Sequence, residues 1–419
     1  MTDPETLLRS LFARAVAVAD PMQGLAAHLP PRPEGRVVVI GAGKASARMA
    51  EAVEAAWGPC EGLVITRYGY ARPCQGIEIV EAAHPVPDAA GMAATARMLR
   101  LLAGLGAGDM VLALISGGAS ALMVQPAGAM TLADKQAVNA ALLASGAPIG
   151  QMNVLRKHLS RVKGGQLAAA AWPARMLALL ISDVPGDDPG MIGSGPTVGE
   201  ASTPADARAI AARHGIALPP AAAAVLAGQS GVVAPGDVRL SRVANVILAA
   251  PSQSLAAAAE MARDAGLRTE ILGDALEGEA REVAREHALR ARTRQAGLRP
   301  GDAPVVMLSG GELTVTRRGD GVGGPNAEYA LALALALDGA PGIHALACDT
   351  DGVDGAAEVA GAVIGPQTLM RARAAGVDPE AALMRNDAHG FFGAIGGQVV
   401  TGPTRTNVND FRAILIAPA

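Results

Sequence analysis

Three times in this chain an apolar run stops on a glycine-rich turn: VVVI on GAGKAS at 37 to 46, VLALI on SGGAS at 111 to 120, and VVML on SGGEL at 305 to 313. Each reads as a buried strand that ends in a loop whose bare backbone can approach a ligand. In open α/β sheets ligands bind outside the carboxyl ends of the strands. Two of the turns share the letters Ser-Gly-Gly, at Ser116 to Gly118 and Ser309 to Gly311, so the chain is expected to hold an anion, phosphate above all.

Apolar strand runs alternate with Ala-rich helical stretches nearly throughout, the pattern of a largely parallel sheet covered on both faces. Strands are predicted at Val37 to Ile40, Leu63 to Thr66, Ile77 to Glu81, Val111 to Ile115 and Met176 to Ser182. Helices are predicted at Ala45 to Ala56, Ala89 to Leu102, Leu132 to Ser145 and Met152 to Ala171. This half is expected to be a Rossmann-like, doubly wound α/β domain. Between Gly199 and Pro235 the chain is rich in Ala, Pro and Gly and reads as a surface helix plus linker. A strand at Val243 to Leu248, helices at Ser252 to Ala265 and Glu277 to Ala296, and strands at Val305 to Leu308 and Ile343 to Ala347 around the helix at 329 to 338 suggest a second, smaller α/β domain. The expected division is 1–235 and 236–419, with the helical segment in 1–30 able to pack on the second part.

A length of 419 residues favours more than one core. Aromatic residues at 2% exclude a recognition surface built on base stacking, and a net charge of -4 gives no footprint for a polyanion, so no nucleic-acid partner is expected. Cys60, Cys74 and Cys348 have no metal-like spacing and point to a reducing, cytoplasmic setting. The uncharged stretch Met110 to Ala133 contains Gly117, Gly118, Gln125 and Pro126 and reads as strand, turn and short helix instead of a membrane span.

GAGKAS fails as a dinucleotide fingerprint. Ser46 replaces the third glycine, and the second strand ends in Thr66-Arg67 where an acidic residue would hold a ribose. It fails as a Walker A loop too, with Val38 and Ala45 at required glycine and hydroxyl positions. What survives is a glycine turn at Gly43, a helix N-terminus and the cation of Lys44; simple strand-helix packing fits equally. Lysine is scarce, only Lys44, Lys135, Lys157 and Lys163 against 31 Arg, and three of the four lie in segments with binding character. In NVLRKHLSRVKGGQLAAA, Arg156, Ser160 and Lys163 fall on one helical face, either an anion-binding stripe or a solvated basic face, with Leu155, Leu159 and Val162 buried.

Acidic loops follow two strands. SDVPGDDPGMIGSGPT offers Asp183, Asp187 and Asp188, and CDTDGVDG offers Asp349, Asp351 and Asp354 as a magnesium or hydroxyl-binding set. Plain Asp-rich turns fit both. Near the C-terminus NDAHGFF and TGPTRTNVNDF concentrate neutral donors and acceptors suited to a polyhydroxy substrate. His84 and His389 are candidate catalysts that are equally at home as structural histidines.

Taken in order, GAGKAS, HPVPD, ISGGASAL, the NVLRKHLSRVKGGQLA segment, ISDVPGDDPGMIGSGPT, LSGGE, GGPNAEYALALA, DTDGVDG, the ND and FF pairs, and GPTRTNVND resemble the glycerate 2-kinase family, whose members carry a C-terminal MOFRL domain. The resemblance covers residues 5 to 415. It implies ATP-dependent phosphorylation of D-glycerate at the 2-hydroxyl, with ATP and Mg2+, in a cleft between a Rossmann-like domain and a smaller one. Some relatives carry the name hydroxypyruvate reductase. NAD(P)H-dependent reduction is therefore the rival enzyme class, and a non-catalytic sugar-acid binder the other alternative.

Carried onto this chain, the resemblance implies that Lys44 neutralises charge on the phosphoryl group or the substrate carboxylate, and that Asp183 or Asp187 places the metal or the attacking hydroxyl. The turn of Ser116, Gly117, Gly118 and Ser120, and that of Gly193, Ser194, Gly195 and Thr197, would face phosphates. Arg156, Lys157, Ser160, Lys163, Asn326 and Asn407 complete the expected binding set. Many relatives have Gly-Gly-Arg-Asn-Gln-Glu where this chain has GGPNAE; Arg405 is the expected substitute for the arginine replaced by Pro325. No membrane partner is expected, and a homodimer is allowed without being required.

Overall fold

The computed structural model describes residues 3–355 and 357–419, so the first two residues of the N-terminal segment and Ala356 of the acidic loop lie outside the described residues. The chain divides into two units. One comprises residues 21–183 and 187–248, and the other the chain through Asp20 with residues 184–186 and 249–419.

The first unit is built on β1 (Val37–Ala42), β2 (Glu61–Arg67), β3 (Ile77–Ala82), β4 (Met110–Ile115), β5 (Arg175–Ile181) and β6 (Val243–Ala249), in the order β3-β2-β1-β4-β5-β6. This is the doubly wound order, with its switch point between β1 and β4. Pairing is parallel from β3 through β5. Every residue of β1 and β4 is buried, as continuous apolar runs demand when helices cover both faces. β6 lies on the far edge of this sheet, so the first unit runs on to Leu248, near the end of that strand, instead of the expected 235. Helix limits follow local chemistry. Asp88 caps the helix Ala89–Leu102 by accepting from the Gly91 N–H, and Thr131 and Asp134 form a reciprocal cap on the helix Leu132–Ala144.

Two sequence expectations are corrected here. The stretch 199 to 235 is more than one surface helix and a linker: two helices, Pro204–Arg213 and Pro220–Ala227, bury Ala207, Ala211, Ala222 and Leu226 against Val138, Leu142, Leu155 and Leu159. The continuous helix expected at 152 to 171 is broken in two, Ile149–His158 and Gln166–Ala170. Gly164 and Gly165 take left-handed φ of 57° and 77°, which a helix cannot continue through. Arg156, Ser160 and Lys163 therefore do not share one helical face.

The second unit holds β7 (Arg268–Gly273), β8 (Gly278–Glu279), β9 (Val305–Ser309), β10 (Leu313–Thr314), β11 (Ile343–Asp349), β12 (Gly361–Ile364), β13 (Gln398–Val399) and β14 (Asp410–Ile416). Its mixed six-stranded sheet runs β13-β12-β11-β14-β9-β7, with β8 and β10 as a separate pair. Alternation sorts the two faces. Val305, Met307, Ile414 and Ile416 pack with the helices Ala280–Ala296 and Pro325–Leu337, whereas Val306, Leu308, Phe411 and Leu415 pack with Pro4–Val18 and Pro251–Asp264. Among the described residues no helix is long and apolar enough to cross a membrane.

Candidate active site

β1, β4 and β5 are adjacent and parallel, with Ala42 opposite Ile115 and Ile115 opposite Leu180. Register alone therefore brings the turns at 43–46, 116–120 and 182–183 to one edge of the sheet. The tightness of the first two is chemical. Gly43 has φ 142°, and a Cβ there would stand 2.0 Å from Ser116 Oγ. The Ser116 hydroxyl accepts from the Ala45 N–H at 3.0 Å and lies 3.1 Å from Ser46 Oγ. The Lys44 N–H donates to Gly117 O at 2.9 Å, and Thr66 Oγ1 to Gly43 O at 3.1 Å.

This corrects the picture of a free phosphate cradle at GAGKAS. The N–H groups of Lys44 and Ala45 are committed inside the fold, and Ser116, fully buried, braces that turn. The part of Lys44 that reaches the edge is its side chain: its Cγ lies 3.4 Å from where a Cβ would stand on Gly118, and His84 Nε2 lies 3.1 Å from the same point. Gly118, at φ 84°, is thus flanked by a lysine and a histidine.

Behind this edge runs a connected polar chain. Ser120 Oγ meets Ser194 Oγ at 2.9 Å, Ser194 Oγ donates to Asn153 Oδ1 at 3.3 Å, and Arg156 Nη1 donates to the same oxygen at 3.1 Å. Lys163 Nζ donates to the carbonyls of Ser120 and Met123 at 2.9 and 3.1 Å. Gly193, Ser194 and Gly195 all take left-handed backbone, which folds this loop tightly enough to present Ser194. Sequence reasoning reached Arg156 and Lys163 by way of one continuous helix that the chain does not form, and Ser120 and Ser194 by way of two glycine-rich turns; the broken chain brings all four together.

Lys135 was missed as a site residue. It lies at 2% exposure on the buried stripe of its helix, with Val138 and Leu142, and its Nζ has no hydrogen-bond partner. Burial, with the Arg156 charge beside it, pushes its pKa down to about 7. Lys163 is also lowered, by burial first and then by the charges of Lys135 and Arg156. Arg156 is lowered by burial. The signal was available: a lysine on the apolar stripe of a helix, in a chain with only four. None of the four is exposed, so the lysines are inside and arginine carries the surface.

Lys157, Ser160 and Thr197 are held by partners within the fold. Lys157 is buried in an ion pair with Glu200 at 2.5 Å. Ser160 is buried, its Oγ accepting from the Val162 N–H, and Thr197 Oγ1 donates to Asn245 Oδ1 at 2.6 Å. Asp183 follows β5 directly, and Asp187 sits in the next turn at φ 53°.

In the second unit, Asn326 is fully buried and donates from Nδ2 to Asp410 at 2.7 Å. Asn407 Oδ1 accepts from the Asn409 N–H. Arg405 holds a left-handed φ of 65° with its Nε buried and unpartnered. Arg412, 1% exposed, bonds Asp410 and the carbonyls of Gly310 and Gly311, so the second Ser-Gly-Gly turn is a packed corner. The acidic set does not converge. Asp349 accepts from the Asp351 N–H, Asp351 from the Val353 N–H, and Asp354 from the N–H groups of Asn326 and Ala327. His389 Nε2 lies 3.1 Å from the Asp354 carboxylate. Among the described residues no three such side chains gather to hold a metal ion.

Residues 7–227 match a family described as a domain of unknown function, DUF4147, and residues 305–410 match the MOFRL family. A protein of Agrobacterium vitis provisionally named a hydroxypyruvate reductase is 56% identical over 98% of this chain and 94% of its own. The D-glycerate 2-kinase of Thermotoga maritima is 35% identical over 98% of both chains. The crystal structure of glycerate kinase from Thermotoga maritima superposes with a TM-score of 0.87 at 35% identity, covering 99% of this chain and 100% of that one.

Proposed function

This chain belongs to the glycerate 2-kinase (MOFRL) family, and we propose that it transfers the γ-phosphoryl group of ATP to the 2-hydroxyl of D-glycerate, giving 2-phosphoglycerate and ADP. The observation that carries the reading is the edge where the turns after β1, β4 and β5 meet, with the Lys44 side chain packed over Gly118. Phosphoryl transfer asks the protein mainly for positioning and charge stabilisation. As the glycerate 2-oxygen bonds to the γ-phosphorus, the bond from phosphorus to the bridging oxygen breaks and ADP departs. Lys44 offsets the negative charge on the moving group. Asp183, following β5 beside β4, accepts the hydroxyl proton, and Asp187 is the alternative on the next turn. Among the described residues the carboxylates of Asp349, Asp351 and Asp354 do not gather as a magnesium site requires. Three free thiols suit a cytosolic setting.

The name of the Agrobacterium vitis relative raises the reductase reading, and the β1 turn argues against it. A dinucleotide pyrophosphate needs the N–H groups that here bond Gly117 O and Ser116 Oγ. Coupled detection of ADP with D-glycerate, magnesium and ATP tests the proposal, with phosphorus NMR of the product separating the 2- from the 3-phosphate. NADH oxidation with hydroxypyruvate in the absence of ADP formation would overturn it.

A further inference from the structure

The Arg156 charge acts on buried Lys135, and Lys135 and Arg156 both act on buried Lys163, so the charges acting on Lys163 are both positive. Buried charge without a counter-charge is costly, and an anionic ligand would offset it. Arg156 and Ser120 line a pocket of about 730 Å³ within the first unit. A three-carbon acid cannot fill such a space, whereas a nucleotide matches the usual range for small-molecule sites. Its walls are unlike its basic end: Pro85, Val86 and Pro87 contribute on one side, and Ala137, Ala140 and Leu143 of the helix Leu132–Ala144 on the other. Val86 and Leu143 are left 60% and 70% exposed, apolar surface for a flat ring to cover. Asn139 also lines the pocket, and its buried Oδ1 has no donor. Adenine offers its exocyclic amine to such an oxygen, while guanine presents an acceptor at that position.

We propose that this pocket is the adenine-nucleotide site: the base lies against the prolyl and alanyl walls with Asn139 reading its amine, and the phosphates turn toward Arg156 with Lys135 and Lys163 behind. The assignment rests on the kinase reading and adds the location and the base preference. The test is steady-state kinetics on the full chain with ATP and with GTP, for the wild type, Ala140→Trp and Asn139→Leu, together with equilibrium titration of ATP. Ala140→Trp fills the pocket and is expected to raise KM for ATP by roughly tenfold, leaving KM for D-glycerate within about twofold. Asn139→Leu is expected to lower the ATP over GTP ratio of kcat/KM by roughly tenfold or more. Should one variant fold poorly, the other still decides. If the wild type turns over and both variants keep its KM for ATP and its ATP preference, the site lies elsewhere and the kinase reading stands. If the wild type forms no ADP, the kinase reading fails by itself. ATP binding that Ala140→Trp abolishes would then still support the pocket, and absent or unaltered binding would overturn it.

Discussion

At the scale of single residues, lysine is the informative letter, and Lys135 carries a clear sign. Its ammonium is disfavoured in the folded protein, so the unfolded chain holds that proton up to about 10.5 while the native state releases it near 7. The penalty is complete below pH 7, shrinks as pH rises through that window and is gone above it, amounting to about 3 to 5 kcal/mol at most. Lys135→Met is therefore expected to raise stability at pH 6.5 by a few kcal/mol and to give no gain near pH 10.5, read by urea unfolding at both values. An equal gain at both would show that packing, not charge, is responsible. The same variant is expected to bind ATP more weakly, the usual exchange of stability for function at a site. For Lys44→Ala, kcat should fall by roughly a hundredfold or more with the unfolding midpoint unchanged; unaltered kcat would remove Lys44 from the chemistry. Arg405→Ala is expected to cut kcat by about tenfold or more if it stands in for the arginine displaced by Pro325, and full turnover would end that assignment. Scarcity made Lys44 and Lys163 legible. Lys157 shared the scarcity and still proved to be half of an ion pair with Glu200, because composition cannot show a partner 43 positions away.

Elements were most legible where hydrophobic period and length agreed. The helix Ala89–Leu102 was read to its exact limits and β1, β4 and β5 to within two residues at either end. The failure between 152 and 171 is instructive, since the apolar positions do repeat at helical spacing and Leu155, Leu159 and Val162 are indeed buried. Burial periodicity survives a chain that bends back, and only the glycine pair betrays the bend. Gly165→Ala distinguishes the two accounts by sign. In a continuous helix it would stabilise by about 1 kcal/mol. At φ 77°, with a Cβ 3.1 Å from Val198 O and 3.2 Å from Val233 Cβ, it is expected instead to destabilise by about 1 to 2 kcal/mol in urea titration.

For the molecule as a whole, what periodicity withholds is the partner of each buried face. The helix Pro4–Val18 shows an amphipathic pattern in sequence, yet the surface it covers is assembled from the far end of the chain. Leu8, Leu11, Phe12 and Ala15 pack with Val306, Leu308, Phe411 and Leu415, with the Phe12 and Phe411 rings 5.8 Å apart. Ser254 Oγ donates to Ala15 O and Thr406 Oγ1 to Ala19 O, both at 2.8 Å. Residues 8–15 thus complete one face of a sheet that includes β9 and β14, so that face cannot close until segments far apart in the chain have met. Phe12→Ala removes a fully packed ring and is expected to cost about 3 to 5 kcal/mol. Because its contacts are all within the second unit, the loss should be local: in native-state hydrogen exchange, amides of β9, β11 and β14 should lose protection while those of β1 and β4 keep theirs. Equal loss in both sheets would mean that the two units open as one cooperative body, and the early helix would then be stabilising the whole chain instead of one sheet.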